Sequence, residues 1–155
     1  MIELSRPISI AGDVSVWLRL LTCATIIEKR LRRRFVELFD STLPRFDLLA
    51  ALERHPDGVS MGDLSRSLLV SNANVTEVVR QLTALGLVSV RLPPEDRRVS
   101  LVSLTESGRA LFAELTAAHH SWIKAMFAAM PRDKLQQLFQ LLGELISSLE
   151  AEKRE

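Results

Sequence analysis

Three charged residues, Asp96-Arg97-Arg98, stand ahead of an alternating run, Val99-Ser100-Leu101-Val102-Ser103-Leu104, which is followed by Thr105 and Gly108. The pattern is D-x-R-x-x-x-V-x-L-T-x-x-G. It predicts a charged hairpin tip, a returning strand, and a threonine that caps a helix. Two arginines at such a tip suit the minor groove of DNA, which is narrow and strongly negative. An acid beside them is costly against phosphate unless it holds an arginine, which gives Asp96 a positioning part. Taken alone, the tip is equally a charged turn whose surface ion pairs are worth little.

A second set lies upstream. Ser71, Asn72, Asn74, Thr76, Glu77 and Arg80 fall on the outward, N-terminal positions of a predicted helix. Its inner face is Val75, Val78, Val79, Leu82 and Leu85. Asn can pair bidentately with adenine, Thr can meet a thymine methyl or a phosphate, and Arg suits guanine or phosphate. Glu77 is the exception, because an acid repels phosphate. It must accept from a cytosine amino group, pair with Arg80, or turn away. The plain alternative for the whole set is a solvated helix face.

The densest charge cluster is Lys29-Arg30-Leu31-Arg32-Arg33-Arg34. Such runs are solvated faces, phosphate contacts, or clamps for an anionic ligand, since Arg binds carboxylate and phosphate bidentately.

The elements that must position these residues follow from periodicity and punctuation. Val14 to about Phe39 has helical spacing at Leu18, Leu21, Ile26, Leu31, Phe35 and Leu38. The segment Asp40 to Pro44 breaks it, and Phe46, Leu48, Leu49 and Leu52 predict a second helix that ends before His55-Pro56-Asp57-Gly58. Ser60-Met61-Gly62-Asp63 resembles a capping box and opens a short helix through Leu64, Leu68 and Leu69. Ser71 caps the next helix, and Gly86 stops it. Leu87 to Leu92 is a strand, Pro93 to Asp96 the hairpin turn, and Val99 to Leu104 the returning strand. A long helix then runs to about Met130. After Pro131, residues Asp133 to Glu152 form a last amphipathic helix with Leu135, Leu138, Leu141, Leu142, Leu145 and Leu149 on one side.

Two short helices followed by a hairpin in this register make a winged helix-turn-helix. The chain resembles the MarR family of transcriptional regulators over nearly its whole length. The resemblance implies a mainly α fold with a small β-wing (α+β), a winged helix-turn-helix flanked by long dimerisation helices. Residues 1–40 are then an N-terminal arm and dimerisation helix, 41–104 the winged region, and 105–155 the C-terminal dimerisation helices of one integrated domain. The family pattern makes Asp96 the brace and Arg98 the minor-groove residue, with Arg97 on phosphate. Relatives often carry a basic residue where this chain has Glu77, so base preference does not carry over from them. Family dimers commonly bind small aromatic acids in a cleft beside the winged module. That implies an effector site at Arg30, Arg33 and Arg34, with Trp17 placed to line an aromatic pocket. The segments around Leu43 to Leu49 and Glu53 to Gly58 resemble regulators of aromatic-acid breakdown, some of which respond to CoA thioesters.

Bulk composition agrees with that layout. The 155 residues are 47% hydrophobic with a net charge of +1, which fits a core-forming sequence reader better than a protein that coats phosphates. The single Cys23 excludes an intramolecular disulfide and fits a reducing, cytoplasmic setting. Residues 1–12 lack the pattern of a signal peptide, and no stretch approaches the ~18 apolar residues of a membrane span. Cys23 is expected to be a small buried residue. The alternative is a redox-sensing thiol, which the resemblance implies because the hydroperoxide-sensing MarR branch keeps its reactive cysteine in this region; that branch holds the thiolate with tyrosines, and this chain has no Tyr. His119 and His120 are adjacent and face different sides of a helix, so no metal site is expected, and no cofactor is implied. His55 belongs to turn chemistry, and Trp122 to packing. Motifs for phosphate loops, serine nucleophiles and zinc hydrolases are missing, which argues against an enzyme.

The expected partners are double-stranded DNA, a second copy of the chain, and a small anionic, aromatic effector, with no membrane. The expected action is repression at a pseudo-palindromic operator, relieved by an aromatic acid or its CoA thioester. The competing expectations are a winged protein-interaction module without specific DNA binding and a Cys23-based redox regulator.

Overall fold

The computed structural model describes residues 12–68 and 72–152. The expected arm before Gly12, together with Leu69 and the Ser71 cap, lies outside the described residues. The chain divides into two compact units between His119 and His120.

The first unit opens with α1 (Gly12–Phe39), of which only Leu31 and Phe35 are buried. Val14, Trp17, Leu18, Leu21 and Ile26 are all exposed. Cys23 is exposed too, contrary to the expectation of burial. The reason is that, among the described residues, the only α1 side chains buried are Leu31 and Phe35, near its C-terminal end. The helix ends at Asp40, which takes a left-handed backbone (φ 46°), and the Ser41 N–H reaches back to the Phe35 carbonyl at 3.1 Å.

Helix α2 (Leu43–Glu53) is capped by Thr42, whose hydroxyl accepts from the Arg45 N–H at 3.3 Å, with Pro44 in the first turn. This helix is the middle of the core: Leu43, Phe46, Leu48, Leu49, Ala51 and Leu52 are buried. Phe46 stacks on Phe35 at 5.0 Å, on Phe112 at 5.7 Å and on His119 at 4.8 Å between ring centroids.

Strand β1 (Val59–Ser60) leads directly into α3 (Met61–Leu68). Ser60 accepts from the Asp63 N–H at 3.1 Å and donates its hydroxyl to the Asp63 carboxylate at 2.7 Å. That is half of a capping box, because the shorter Asp takes the hydroxyl where a Glu would take the cap's backbone N–H. The Ser60 hydroxyl and the Arg66 guanidinium hold the Asp63 carboxyl below its usual range. Helix α4 (Asn72–Ala84) buries Val75, Val79 and Leu82 against this core.

The sheet is antiparallel in the order β1-β3-β2, with β2 (Val88–Arg91) paired to β3 (Leu101–Leu104) from Val88↔Leu104 to Arg91↔Leu101. Two expectations are corrected here. A third strand, β1, joins the hairpin through Val59↔Val102 and Ser60↔Leu101, and at two residues it is too short to show alternation. The returning strand begins at Leu101 rather than Val99, and the tip is a loop over 92–100 rather than a four-residue turn. In that loop the Asp96 side chain takes the Arg98 N–H, and the Asp96 carbonyl takes the Val99 N–H at 3.4 Å, so neither N–H is left for a ladder.

Helix α5 (Glu106–Met126) stops four residues short of the expected Met130, closing in turns from Ala128 N–H to the Ala125 carbonyl and from Met130 N–H to the Phe127 carbonyl. In the second unit, α6 (Arg132–Glu152) has no buried residue. Phe139, Leu141, Ile146 and Leu149 lie open on it. No described helix is long and apolar enough to cross a membrane.

Candidate nucleic-acid interface

The wing is tied to α4 and α5 through one residue, Thr105. Its hydroxyl donates to the Gly86 carbonyl at 2.6 Å and accepts from the Gly108 N–H at 3.0 Å, while its own N–H donates to the Leu87 carbonyl at 3.1 Å. Gly86 (φ 71°) closes α4 in a Schellman motif, with Leu87 N–H to Leu82 O at 2.9 Å and Gly86 N–H to Thr83 O at 3.0 Å. Gly108 is required by proximity: a Cβ there would sit 1.9 Å from the Leu87 carbonyl oxygen. The T-x-x-G of the sequence is therefore the clamp that fixes the angle between the end of α4, the wing and the start of α5.

At the tip, the Asp96 carboxylate accepts from the backbone N–H of Arg98 at 3.0 Å and from its Nε at 3.1 Å. Two bonds to one residue make an Asx turn that sets both the backbone and the guanidinium. The Arg98 side chain is 91% exposed, so the brace holds it outward. Arg97 is exposed beside it.

On α4, Asn74, Thr76, Glu77 and Arg80 are all exposed, whereas Ser71 lies outside the described residues and the side chain of Asn72 is not described. Of the three options open to Glu77, the structure shows pairing with Arg80. Arg80 donates through Nε at 2.9 Å and through Nη2 at 2.7 Å, one bond to each carboxylate oxygen. Gln81 adds a third bond to Glu77 at 2.8 Å and itself accepts from Arg45 Nε at 3.1 Å. Arg45 in turn reaches the Asp40 carbonyl at 3.5 Å. Arg80 first and Gln81 second pull the Glu77 carboxyl down to about 2. Sequence reasoning missed Gln81 and Arg45. The i, i+4 spacing of Glu77 and Gln81 was a usable signal, but nothing local links Arg45 to a residue 36 positions away.

The basic run on α1 does not all face one way. Arg30, Arg33 and Arg34 are exposed, and Arg33 pairs with Glu37 at 3.7 Å. Arg32, which pairs with Glu28 at 3.6 Å, lines a cavity of about 530 Å³ with Asp47, Leu48, Val75 and Glu77. Desolvation raises the Asp47 carboxyl above its ordinary value, while Arg32 opposes the shift and Glu28 adds to it. A second cavity, about 580 Å³, is lined by Arg45, Leu49, Arg80, Gln81, Leu85 and Leu111 among others. Trp17 is 57% exposed near the start of α1, and it lines neither cavity. Among the described residues, no group of three or more His, Cys, Asp or Glu could hold a metal ion.

These elements define a winged helix-turn-helix protein with a small three-stranded wing. The sequence profile of the MarR family matches residues 39–99. The uncharacterised helix-turn-helix regulator YdgJ of Bacillus subtilis is 33% identical over 110 residues, 69% of this chain and 66% of YdgJ. The transcriptional activatory protein BadR of Rhodopseudomonas palustris is 36% identical over 102 residues, 64% of this chain and 58% of BadR. The chain thus spans roughly three-fifths to two-thirds of the length of these relatives. A MarR-family regulator from Silicibacter pomeroyi superposes with a TM-score of 0.78 at 27% identity, covering 90% of this chain and 96% of that one. Two further structures share the fold at lower identity. CouR from Rhodococcus jostii bound to p-coumaroyl-CoA has a TM-score of 0.73 at 19% identity, over 94% of this chain and 95% of CouR. The Staphylococcus aureus MepR–DNA complex has a TM-score of 0.72 at 21% identity, over 86% of this chain and 96% of MepR. The chain belongs to the MarR family of winged-helix transcriptional regulators, which are not enzymes.

Proposed function

We propose that this chain is a homodimeric, ligand-responsive repressor that binds a pseudo-palindromic operator. The observation that carries the reading is the braced wing. Arg98 is held outward by two bonds from Asp96 on a hairpin clamped to the end of α4 by Thr105. In this reading the outward row of α4, from Ser71 and Asn72 through Asn74, Thr76, Glu77 and Arg80, enters the major groove. Arg98 enters the adjacent minor groove and Arg97 meets a phosphate. The MepR complex with DNA supports trying that placement. The apolar residues exposed on α1 and α6 support a dimer, whose two α4 helices would reach successive major grooves about 34 Å apart.

The effector is proposed to be a small anionic aromatic compound, an acid or its CoA thioester, held by Arg30, Arg33 and Arg34 with Trp17. Support comes from the charge on α1 and from CouR, whose structure holds p-coumaroyl-CoA. Release then requires that the ligand bind one spacing of the two winged modules better than the other. The test is a gel shift on the DNA upstream of the chain's own coding sequence, with and without aromatic acids and their CoA thioesters. Specific, salt-sensitive binding that one compound releases is the expected result. Failure to prefer any duplex over competitor DNA rejects the regulator reading in favour of an interaction module. Binding that no such compound releases rejects the effector class.

A further inference from the structure

Glu77 stands where phosphate repulsion disfavours an acid, and its geometry gives that acid a use. Arg80 presents five N–H groups. The side-on pair to Glu77 uses the Nε proton and one on Nη2. The second proton on Nη2 and one of the two on Nη1 form the outer edge of the fork, and they have no hydrogen-bond partner among the described residues. That outer edge is the one that can donate twice to the O6 and N7 acceptors of guanine. A free arginine samples many rotamers and reaches phosphate as readily as a base. An arginine pinned along one edge has lost that freedom before DNA arrives.

We propose that Glu77 is a positioning residue that sets base specificity: it holds Arg80 side-on so that the opposite edge of the guanidinium reads one guanine in each half-site. This rests on the reading above that α4 enters the major groove. Gln81 keeps Glu77 in place with its bond at 2.8 Å, and Arg45 anchors Gln81 at 3.1 Å to the start of α2. The buttress therefore has a support outside its own helix. A solvated i, i+3 ion pair would not need one. The carboxylate stays charged throughout the working pH range, since its partners hold it near 2.

The experiment is selection from a randomised duplex pool with purified wild-type protein, Glu77→Ala, Arg80→Ala and the double variant. Titrations of the selected and scrambled duplexes follow. The wild type is expected to enrich a symmetric motif with one guanine position that Arg80→Ala erases. Glu77→Ala should erase the same position and no other, and lower the preference for selected over scrambled duplex about tenfold. Its affinity for scrambled DNA should rise, because a repelling acid has gone and a released arginine can reach phosphate. The double variant should lose no more discrimination than either single variant. Should Glu77→Ala fail to fold, Glu77→Met gives the same comparison, since it keeps the side-chain length and removes both acceptor oxygens. A Glu77 variant that keeps the guanine and the full preference overturns the proposal, as does a motif that Arg80→Ala leaves intact. A wild type that enriches no motif at all instead overturns the major-groove reading on which this one stands.

Discussion

The winged module and the two long flanking helices are written in the same amphipathic code, yet they differ in what covers their apolar residues. In the module, Leu48, Leu49, Leu52, Leu64, Leu82 and Val102 are at most 1% exposed. On α1 and α6, Trp17 is 57% exposed, Leu141 62% and Phe139 74%. Helical periodicity says that a face will be buried, but it does not say whether the same chain does the burying. The module is complete within one chain. The helices carry an apolar stripe that a lone copy leaves wet, and a second copy is the occupant that the proposed function supplies.

The strongest way to break this comparison is to charge the exposed stripe. Leu141→Glu together with Leu145→Glu should raise the dimer dissociation constant at least a hundredfold, about 3 kcal/mol, with helix content unchanged. Operator affinity should fall with it. Sedimentation that shows the same assembly for variant and wild type would mean that the stripe is not the interface. A charge placed inside the module should act differently and unfold it.

Within the module, the largest single effect is expected at Gly108. Gly108→Ala drives a methyl into the Leu87 carbonyl and should cost about 2 to 3 kcal/mol in a denaturant melt. Thr105→Ala removes a cap and the bond to Gly86 together, and should cost about 1 to 2 kcal/mol. Equal melting of wild type and Gly108→Ala would show that Leu87 can move aside, and the clamp would then not be rigid.

The same contrast explains what could be read in advance. The Thr105 cap, the Gly86 stop and the Ser60–Asp63 cap were legible because each is a local rule acting across a few residues. The short strand β1 was not, since its pairing partner Val102 lies 43 positions further along and two residues show no period. The late start of β3 was hidden because Asp96 satisfies the Arg98 N–H with its side chain, an option that alternation does not record. At the site, the pairing of Asp96 with Arg98 was anticipated from the motif. Glu77 was left with three options because its choice depends on rotamers supported by Gln81 and Arg45. Cys23 was misjudged for the reason that drives the opening contrast: burial on α1 is not decided by the chain alone.

Arg98→Ala sharpens the distinction between an element that holds the fold and one that meets a partner. Its side chain touches only Asp96 among the interactions described, so stability should stay within about 0.5 kcal/mol. Affinity for operator DNA should drop about tenfold at physiological salt, with the dimer intact. Unchanged affinity would remove the wing from the interface.

The smallest expected effect isolates the Glu77–Arg80 pair. Arg80, and after it Gln81, lower the Glu77 carboxyl from its ordinary 4.5 to about 2. The folded protein therefore binds the Glu77 proton less readily than the unfolded chain does. The stabilisation is fully present above pH 4.5 and is lost as pH falls toward 2. Glu77 is solvated, so this acid limb should be shallow, and global unfolding is a poor place to look for it. A carbon-detected NMR titration of the Glu77 carboxyl reads it directly. In wild type it should titrate near 2, and in Arg80→Ala it should move most of the way back to 4.5, with Gln81→Ala giving a smaller shift in the same direction. A wild-type carboxyl that titrates at its ordinary value would mean that Arg80 spends its time elsewhere in solution, and the pair would then be formed only on the DNA, if at all.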